Sequence, residues 1–217
     1  MTDAKANFIV GSRGSGKSTL ARQMAKTFKC AVAIDPAGDW AKSPGWIKAD
    51  TLKEVRAMMA GRYKRGFRIC YTPPVGRERD ALSQISKWAM EFQRPFHEER
   101  STRKFCLVVD EMAEAYSNAD QQRSDQSHFR RVILQGRHYG IEVIGITQRP
   151  QDVATRYRSQ AAVVYAFRVG EVAARKPIAE LIGGREAGAL VGLARGEYLE
   201  IEAGNVTKRR TRKPRSR

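Results

Sequence analysis

The sequence predicts an α/β fold with a mainly parallel central sheet flanked by helices, and three features of its 217 residues predict it. Short β-branched runs alternate with longer mixed segments, the rhythm of strand, helix, strand. A glycine-rich segment, Gly11-Ser-Arg-Gly-Ser-Gly-Lys-Ser18, stands between the first apolar run and the first helical pattern. Hydrophobic residues make up 41% of the chain, enough to close a core at this length, which sets aside collagen-like, coiled-coil and wholly disordered chains.

In chain order, strands are expected at Asn7–Val10, Ala31–Ile34, Phe67–Tyr71, Phe105–Val109, Glu142–Ile146, Ala162–Phe167 and Tyr198–Ile201. Helices fill the gaps. Ser18–Phe28 carries Leu20, Met24 and Phe28 at four-residue spacing. Thr51–Ala60 opens on a possible capping box from Thr51 to Glu54. Arg79–Phe92 sets Ile85, Trp88, Ala89 and Phe92 on one face, and Phe129–Tyr139 ends at Gly140, a plausible terminator. Ser117–Ser127 is polar without an apolar period and predicts an exposed, mobile loop. The division expected is one domain over residues 1–206 and a basic tail, Thr207–Arg217, disordered when alone.

Lys and Arg total 40 against 23 for Asp and Glu, a net charge of +17, and without the seven basic residues of the tail the body still carries +10. Such a chain seeks polyanions or must hide its charge. No stretch of about 18 apolar residues exists and the first ten residues carry no leader pattern, so a soluble, non-secreted protein without a stable membrane span is expected. Cys30, Cys70 and Cys106 are isolated in or beside apolar runs and read as buried, reduced thiols.

The Gly11–Ser18 segment matches G-x-x-x-x-G-K-[ST], the loop whose backbone N–H groups cradle β- and γ-phosphates at a helix N-terminus. Gly11, Ser12, Arg13, Gly14, Ser15, Gly16, Lys17, Ser18 and Thr19 are the candidate ATP contacts. Lys17 should neutralise phosphate and Ser18 should complete Mg²⁺ coordination. Phe105–Glu111 reads as an apolar strand ending in two acids: Asp110 for the metal's water shell, Glu111 for the attacking water. A carboxylate beside the phosphate favours hydrolysis, which argues for an ATPase. Gln148, in Thr147-Gln-Arg-Pro150 after another apolar strand, is the best placed sensor of the γ-phosphate.

The set GSRGSGKS, LVVDE, GRHYGIEVIGITQRPQDV and AAVVYAFR resembles the FtsK/HerA superfamily of DNA-translocating ATPases over most of residues 7–201, most specifically from Leu134 to Val153. Asp35-Pro-Ala-Gly-Asp-Trp40 also looks like that family's D-P-x-G-x-aromatic segment. The resemblance implies a P-loop NTPase of the additional-strand, RecA/FtsK-like type, with a strand inserted between the two nucleotide motifs and an active ring, usually a hexamer. It matches Arg137 to an arginine finger acting across a subunit boundary, with Arg149, Arg156, Arg158 and Arg168 as rivals.

A motor gripping double-stranded DNA needs cations on phosphates. Arg123, Arg130 and Arg131 are candidate contacts, with Arg62, Lys64 and Arg65 before the third expected strand. A chain that begins close to its first strand and ends soon after its last looks like the genome-packaging ATPases of tailless double-stranded DNA viruses with an internal membrane. The reading is then packaging into a preformed capsid, in the host cytoplasm or at the packaging vertex, with capsid vertex proteins as possible partners. The alternatives are a cellular or plasmid translocase for conjugation, segregation or repair, a filamentous-phage assembly ATPase, a nucleotide-gated DNA-binding module and a small-molecule kinase.

Overall fold

The computed structural model describes residues 4–169, 176, 178–180 and 187–212. Its strands are β1 (Ala6–Val10), β2 (Cys30–Ile34), β3 (Ile47–Ala49), β4 (Phe67–Tyr71), β5 (Phe105–Asp110), β6 (Ile141–Thr147), β7 (Val163–Phe167), β8 (Glu197–Glu202) and β9 (Asn205–Arg210). They form one nine-stranded sheet in the order β3-β4-β2-β5-β6-β1-β7-β8-β9. The first seven of these pair in parallel, and β8 and β9 are added antiparallel at one edge. β6 lies between β1 and β5, so a strand is inserted between the two nucleotide motifs.

The main helices are α1 (Lys17–Ala25), α2 (Leu52–Arg62), α3 (Glu78–Phe92), α4 (Arg94–His97), α5 (Met112–Ala115), α6 (Ser127–Gln135) and α7 (Thr155–Gln160). Central strands read as near-continuous apolar runs because both faces are covered, as a parallel sheet requires. Residue parity splits them: Phe8, Val10, Val32, Ile34, Leu107 and Val109 face α2, α3 and α6. Ile9, Ala31, Ala33, Cys106, Val108 and Ile144 face α1 with Trp40 and Trp46. The small residues on that second face let the Ala21 and Ala25 side of α1 sit close to the sheet.

Each strand expected from the sequence is present to within a residue at either end. Thr51 caps α2 by accepting from Glu54 N–H at 3.1 Å, but the Glu54 carboxylate answers to Asp50 N–H at 2.9 Å, one residue earlier than a capping box requires. The helix expected to run to Tyr139 stays α-helical only to Gln135; its last turn, Gly136–Tyr139, is 3-10 and ends at Gly140 with φ 63°. All three cysteines are buried and unbridged, and burial pushes the Cys70 thiol up to about 11.

Two expectations are corrected. Ser117–Ser127, mostly exposed as expected, is not without regular structure: it contains 3-10 turns at Asn118–Asp120 and Ser124–Gln126. Asp120, 1% exposed, accepts from Ser117 N–H and Oγ at 2.8 and 2.6 Å and lies 3.1 Å from Arg79 Nε. Gln126, fully buried, donates to the Arg79 carbonyl at 3.1 Å. Short polar side chains bonding nearby backbone can fix a segment that hydropathy reads as unstructured. Likewise Thr207–Arg210, expected in the disordered tail, lie in β9. Backbone pairing with β8 accommodates them, and Lys208 and Arg209 meet Glu197 and Glu200 at 3.0 and 3.3 Å. Residues 213–217 of that tail lie outside the described residues.

Tyr157 of α7 ties the sheet's centre together, its hydroxyl donating to the Asn7 carbonyl at 2.7 Å and accepting from Gly145 N–H at 3.0 Å. The ring is fully buried. Tyr157→Phe leaves both backbone groups without that partner, so a loss of about 1–3 kcal/mol of stability is expected, measured as a lower urea midpoint at unchanged m-value.

Candidate functional site

β1, β5 and β6 deliver their C-terminal ends to one edge of the sheet. In register, Val10 lies beside Thr147, and Asp110 beside Ile146. The glycine-rich turn therefore starts next to the polar end of β6, one strand away from the acidic end of β5. Gly11 has φ 150°, and a Cβ there would lie 2.6 Å from Phe167 Cβ, so any side chain would push the loop off β7. Ser12 N–H donates to the Arg168 carbonyl at 2.8 Å and fastens the loop to the end of β7.

A cavity of about 560 Å³ opens at this edge, lined by Arg13, Gly14, Lys17 and Ser18 on one side and by Asp110, Glu111 and Gln148 on the other. Lys17 is 7% exposed and donates to the Ser12 carbonyl at 3.0 Å. Burial holds its ammonium below the ordinary lysine range, while the facing carboxylates of Glu111 and Asp110 pull it back up. The phosphate cradle and the acidic strand end thus face each other.

The two acids are held differently. Trp40 donates its indole N–H to Asp110 Oδ2 at 2.8 Å, and its backbone N–H to Asp35 Oδ2 at 2.7 Å. Burial raises the Asp110 pKa, the indole bond lowers it, and Asp35 and Glu111 push it up again. The Asp35–Trp40 segment is therefore part of the site's framework, with Trp40 wedged against Trp46 at 4.7 Å between ring centres. Glu111 sits at φ 68° and ψ 66°, the left-handed region that a side chain adopts at a cost of about 1–3 kcal/mol. Its carboxylate accepts from Thr147 Oγ at 2.6 Å, and Thr147 Oγ accepts from Arg149 N–H at 3.0 Å. Strain and a buried tether fix the direction of this carboxylate.

The cavity suits a triphosphate with Mg²⁺. A concave glycine loop on a helix N-terminus, with a buried lysine, fits phosphate oxygens. The Ser18 hydroxyl and the Asp110 carboxylate are hard oxygen donors of the kind Mg²⁺ takes in ones and twos alongside phosphates and water. Asp35 Oδ1 is buried without a hydrogen-bond partner among the described residues, and burial raises the Asp35 pKa.

No protein-family model matches this chain, and no curated protein sequence is similar to it. Solved structures are similar. The genome packaging NTPase B204 from Sulfolobus turreted icosahedral virus 2, in complex with AMPPCP, superposes with a TM-score of 0.72 at 18% identity, over 96% of this chain and 98% of that one. VirB4 of Thermoanaerobacter pseudethanolicus gives 0.68 at 12% identity, over 97% and 90%. The pCW3 conjugation coupling protein TcpA, with ATPγS, gives 0.62 at 15% identity, over 94% and 59%. The chain has the fold of the FtsK/HerA-type P-loop ATPases. In this FtsK/HerA-type fold the inserted strand is β6, whose last residue, Thr147, holds Glu111.

Of the residues expected from the sequence, the cavity gathers Arg13, Gly14, Lys17, Ser18, Asp110, Glu111 and Gln148. It does not gather Arg137, which lies in the 3-10 turn before β6 and lines a separate groove with Leu134 and Ile141. β6 spans seven residues, about 23 Å at ~3.3 Å per residue, so Arg137 stands at the opposite edge of the sheet. Among the candidate DNA contacts, Arg130 donates to the Gln121 and Arg123 carbonyls at 2.8 Å each and braces the 117–127 segment. Arg123 pairs with Asp125 at 2.7 Å, and Arg131 lies exposed over Tyr139. Sequence reading passed over the role of Thr147, though its place as the last residue of an apolar strand beside the P-loop strand was the available signal.

Proposed function

We propose that this protein is an Mg²⁺-dependent ATPase that drives double-stranded DNA into a preformed capsid, working as a homo-oligomeric ring, most simply a hexamer. The observation that carries the hydrolytic part is the cavity facing Lys17 and Ser18 with Asp110 and Glu111. Lys17 and the loop amides hold the β- and γ-phosphates, Ser18 and Asp110 hold the metal, and Glu111 takes a proton from the attacking water. Mg²⁺, if bound at Ser18 and Asp110, would offset the charge of the terminal phosphates. Gln148, exposed at the cavity rim, senses the γ-phosphate.

Arg137 acts in trans in this reading. Its guanidinium is at the wrong edge to serve its own cavity, and its exposure, beside Leu134 at 54%, suits a subunit boundary. A finger supplied by the neighbour makes hydrolysis depend on ring geometry. Duplex DNA is held through phosphates by the chain's basic surface, with Arg123 and Arg131 as contacts and Arg62, Lys64 and Arg65 exposed before β4. The protein then works in the host cytoplasm or at a capsid vertex; among the described residues no helix is long and apolar enough to cross a membrane.

The packaging reading is supported by likeness to B204 over almost the whole of both chains, and conjugative transport by likeness to VirB4 and TcpA. Two measurements test it. Mixing Arg137→Ala with Lys17→Ala subunits, each inactive alone, should restore DNA-stimulated hydrolysis, and no rescue at any ratio would remove the trans role. With empty capsids of the cognate virus, ATP should make duplex DNA resistant to nuclease. Stimulation by duplex without any protection would favour the conjugative reading.

A further inference from the structure

A second cavity, of about 420 Å³, lies on the other side of the P-loop. Gly14, Lys17 and Ser18 line both cavities, so a ligand held on Lys17 and Ser18 reaches into each. In the first cavity its terminal phosphate would meet Asp110, Glu111 and Gln148. The other end must then leave past Ser18 and Thr19 into the second, whose far wall is Arg195, Gly196, Thr211 and Arg212.

That wall is built by the added antiparallel strands and fixed to the P-loop. Gly196 N–H donates to the Ser15 carbonyl at 2.8 Å, Thr211 N–H to the Gly196 carbonyl at 2.8 Å, and Gln23 of α1 to the Arg212 carbonyl at 2.7 Å. A Cβ on Gly16 would lie 3.2 Å from Gly196 Cα, so the two glycines permit the close approach. Arg195 rides on a tight turn in which Glu197 N–H donates to the Ala194 carbonyl at 3.0 Å and the Glu197 carboxylate accepts from Ala194 N–H at 3.0 Å. Both arginines are exposed, and neither has an ion-pair partner among the described residues. Among the described residues the lining has no aromatic ring and no carboxylate.

Resting on the ATPase reading, we propose that this second cavity is the nucleoside site, with Arg195 and Arg212 laying their guanidinium planes against the base. A guanidinium is planar, weakly hydrated and able to stack on a π face, whereas the other lining groups are backbone, hydroxyls and the phosphate-directed Lys17. The C-terminal strands thereby complete the nucleotide site.

The test is equilibrium binding of ATP and of inorganic tripolyphosphate, each with Mg²⁺, to the full chain. Arg195→Ala and Arg212→Ala should each weaken ATP roughly fivefold to thirtyfold and leave tripolyphosphate within about twofold. Arg195→Lys, which keeps charge but loses the plane, should fall with Arg195→Ala; full rescue by lysine would overturn the stacking contact. Equal weakening of ATP and tripolyphosphate would make these arginines a phosphate clamp and overturn the proposal. So would unchanged ATP binding together with weakened DNA binding. Lys17→Ala should weaken both ligands, and if it weakens neither, the P-loop reading itself fails and carries this one with it.

Discussion

Lys17→Ala is expected to abolish triphosphate binding and turnover together, with kcat/KM falling at least about 10³-fold. The lysine is almost wholly buried and turned into a cavity whose opposite wall is acidic. Removing it takes away the only buried cation among the cavity's described lining residues and leaves Asp110 and Glu111 facing incoming phosphate uncompensated. The loss should therefore appear in ATP affinity as well as in rate. Measured by direct binding and steady-state hydrolysis, a variant that binds ATP normally would overturn the placing of the triphosphate on Lys17.

Glu111→Gln should separate these two quantities. ATP binding is expected to stay within a fewfold of the parent while hydrolysis falls by about 10²–10⁴, because the amide keeps the shape and a hydrogen-bond acceptor for Thr147 but cannot take a proton. The same logic makes Thr147→Val a test of positioning. It removes the 2.6 Å bond to Glu111 while keeping the volume. With the carboxylate no longer tethered, kcat should fall roughly tenfold at unchanged ATP affinity. A Thr147→Ser variant, which restores the hydroxyl, should recover most of it. Normal turnover in Glu111→Gln would move the general base elsewhere in the cavity.

The backbone strain at Glu111 gives these variants a common origin. A left-handed residue at the end of a strand aims its side chain where neither strand nor helix geometry would, and the surrounding bonds hold it there. Trp40 does the corresponding work for Asp110 from a segment 70 residues earlier in the chain. Each acid is thus oriented by a partner that is not itself among the cavity's described lining residues.

What the sequence by itself determined is local. Apolar runs located β1, β2 and β4 to β8, four-residue spacing located α1, a shared apolar face located α3, and the G-x-x-x-x-G-K-S spacing located the phosphate loop, because each is a pattern carried within about fifteen residues. Short or polar elements escaped it: β3 has three residues, and the charged β9 is a strand only because β8 offers it an edge. Partnership escaped it too. That Thr147 would answer Glu111 36 positions away, Trp40 answer Asp110, Gly196 meet Ser15, and Arg137 stand at the far edge was decided by strand order and register. Composition and periodicity record which face of an element is apolar. Which elements become neighbours depends on packing between residues far apart in the chain, and that is where this site's fine geometry resides.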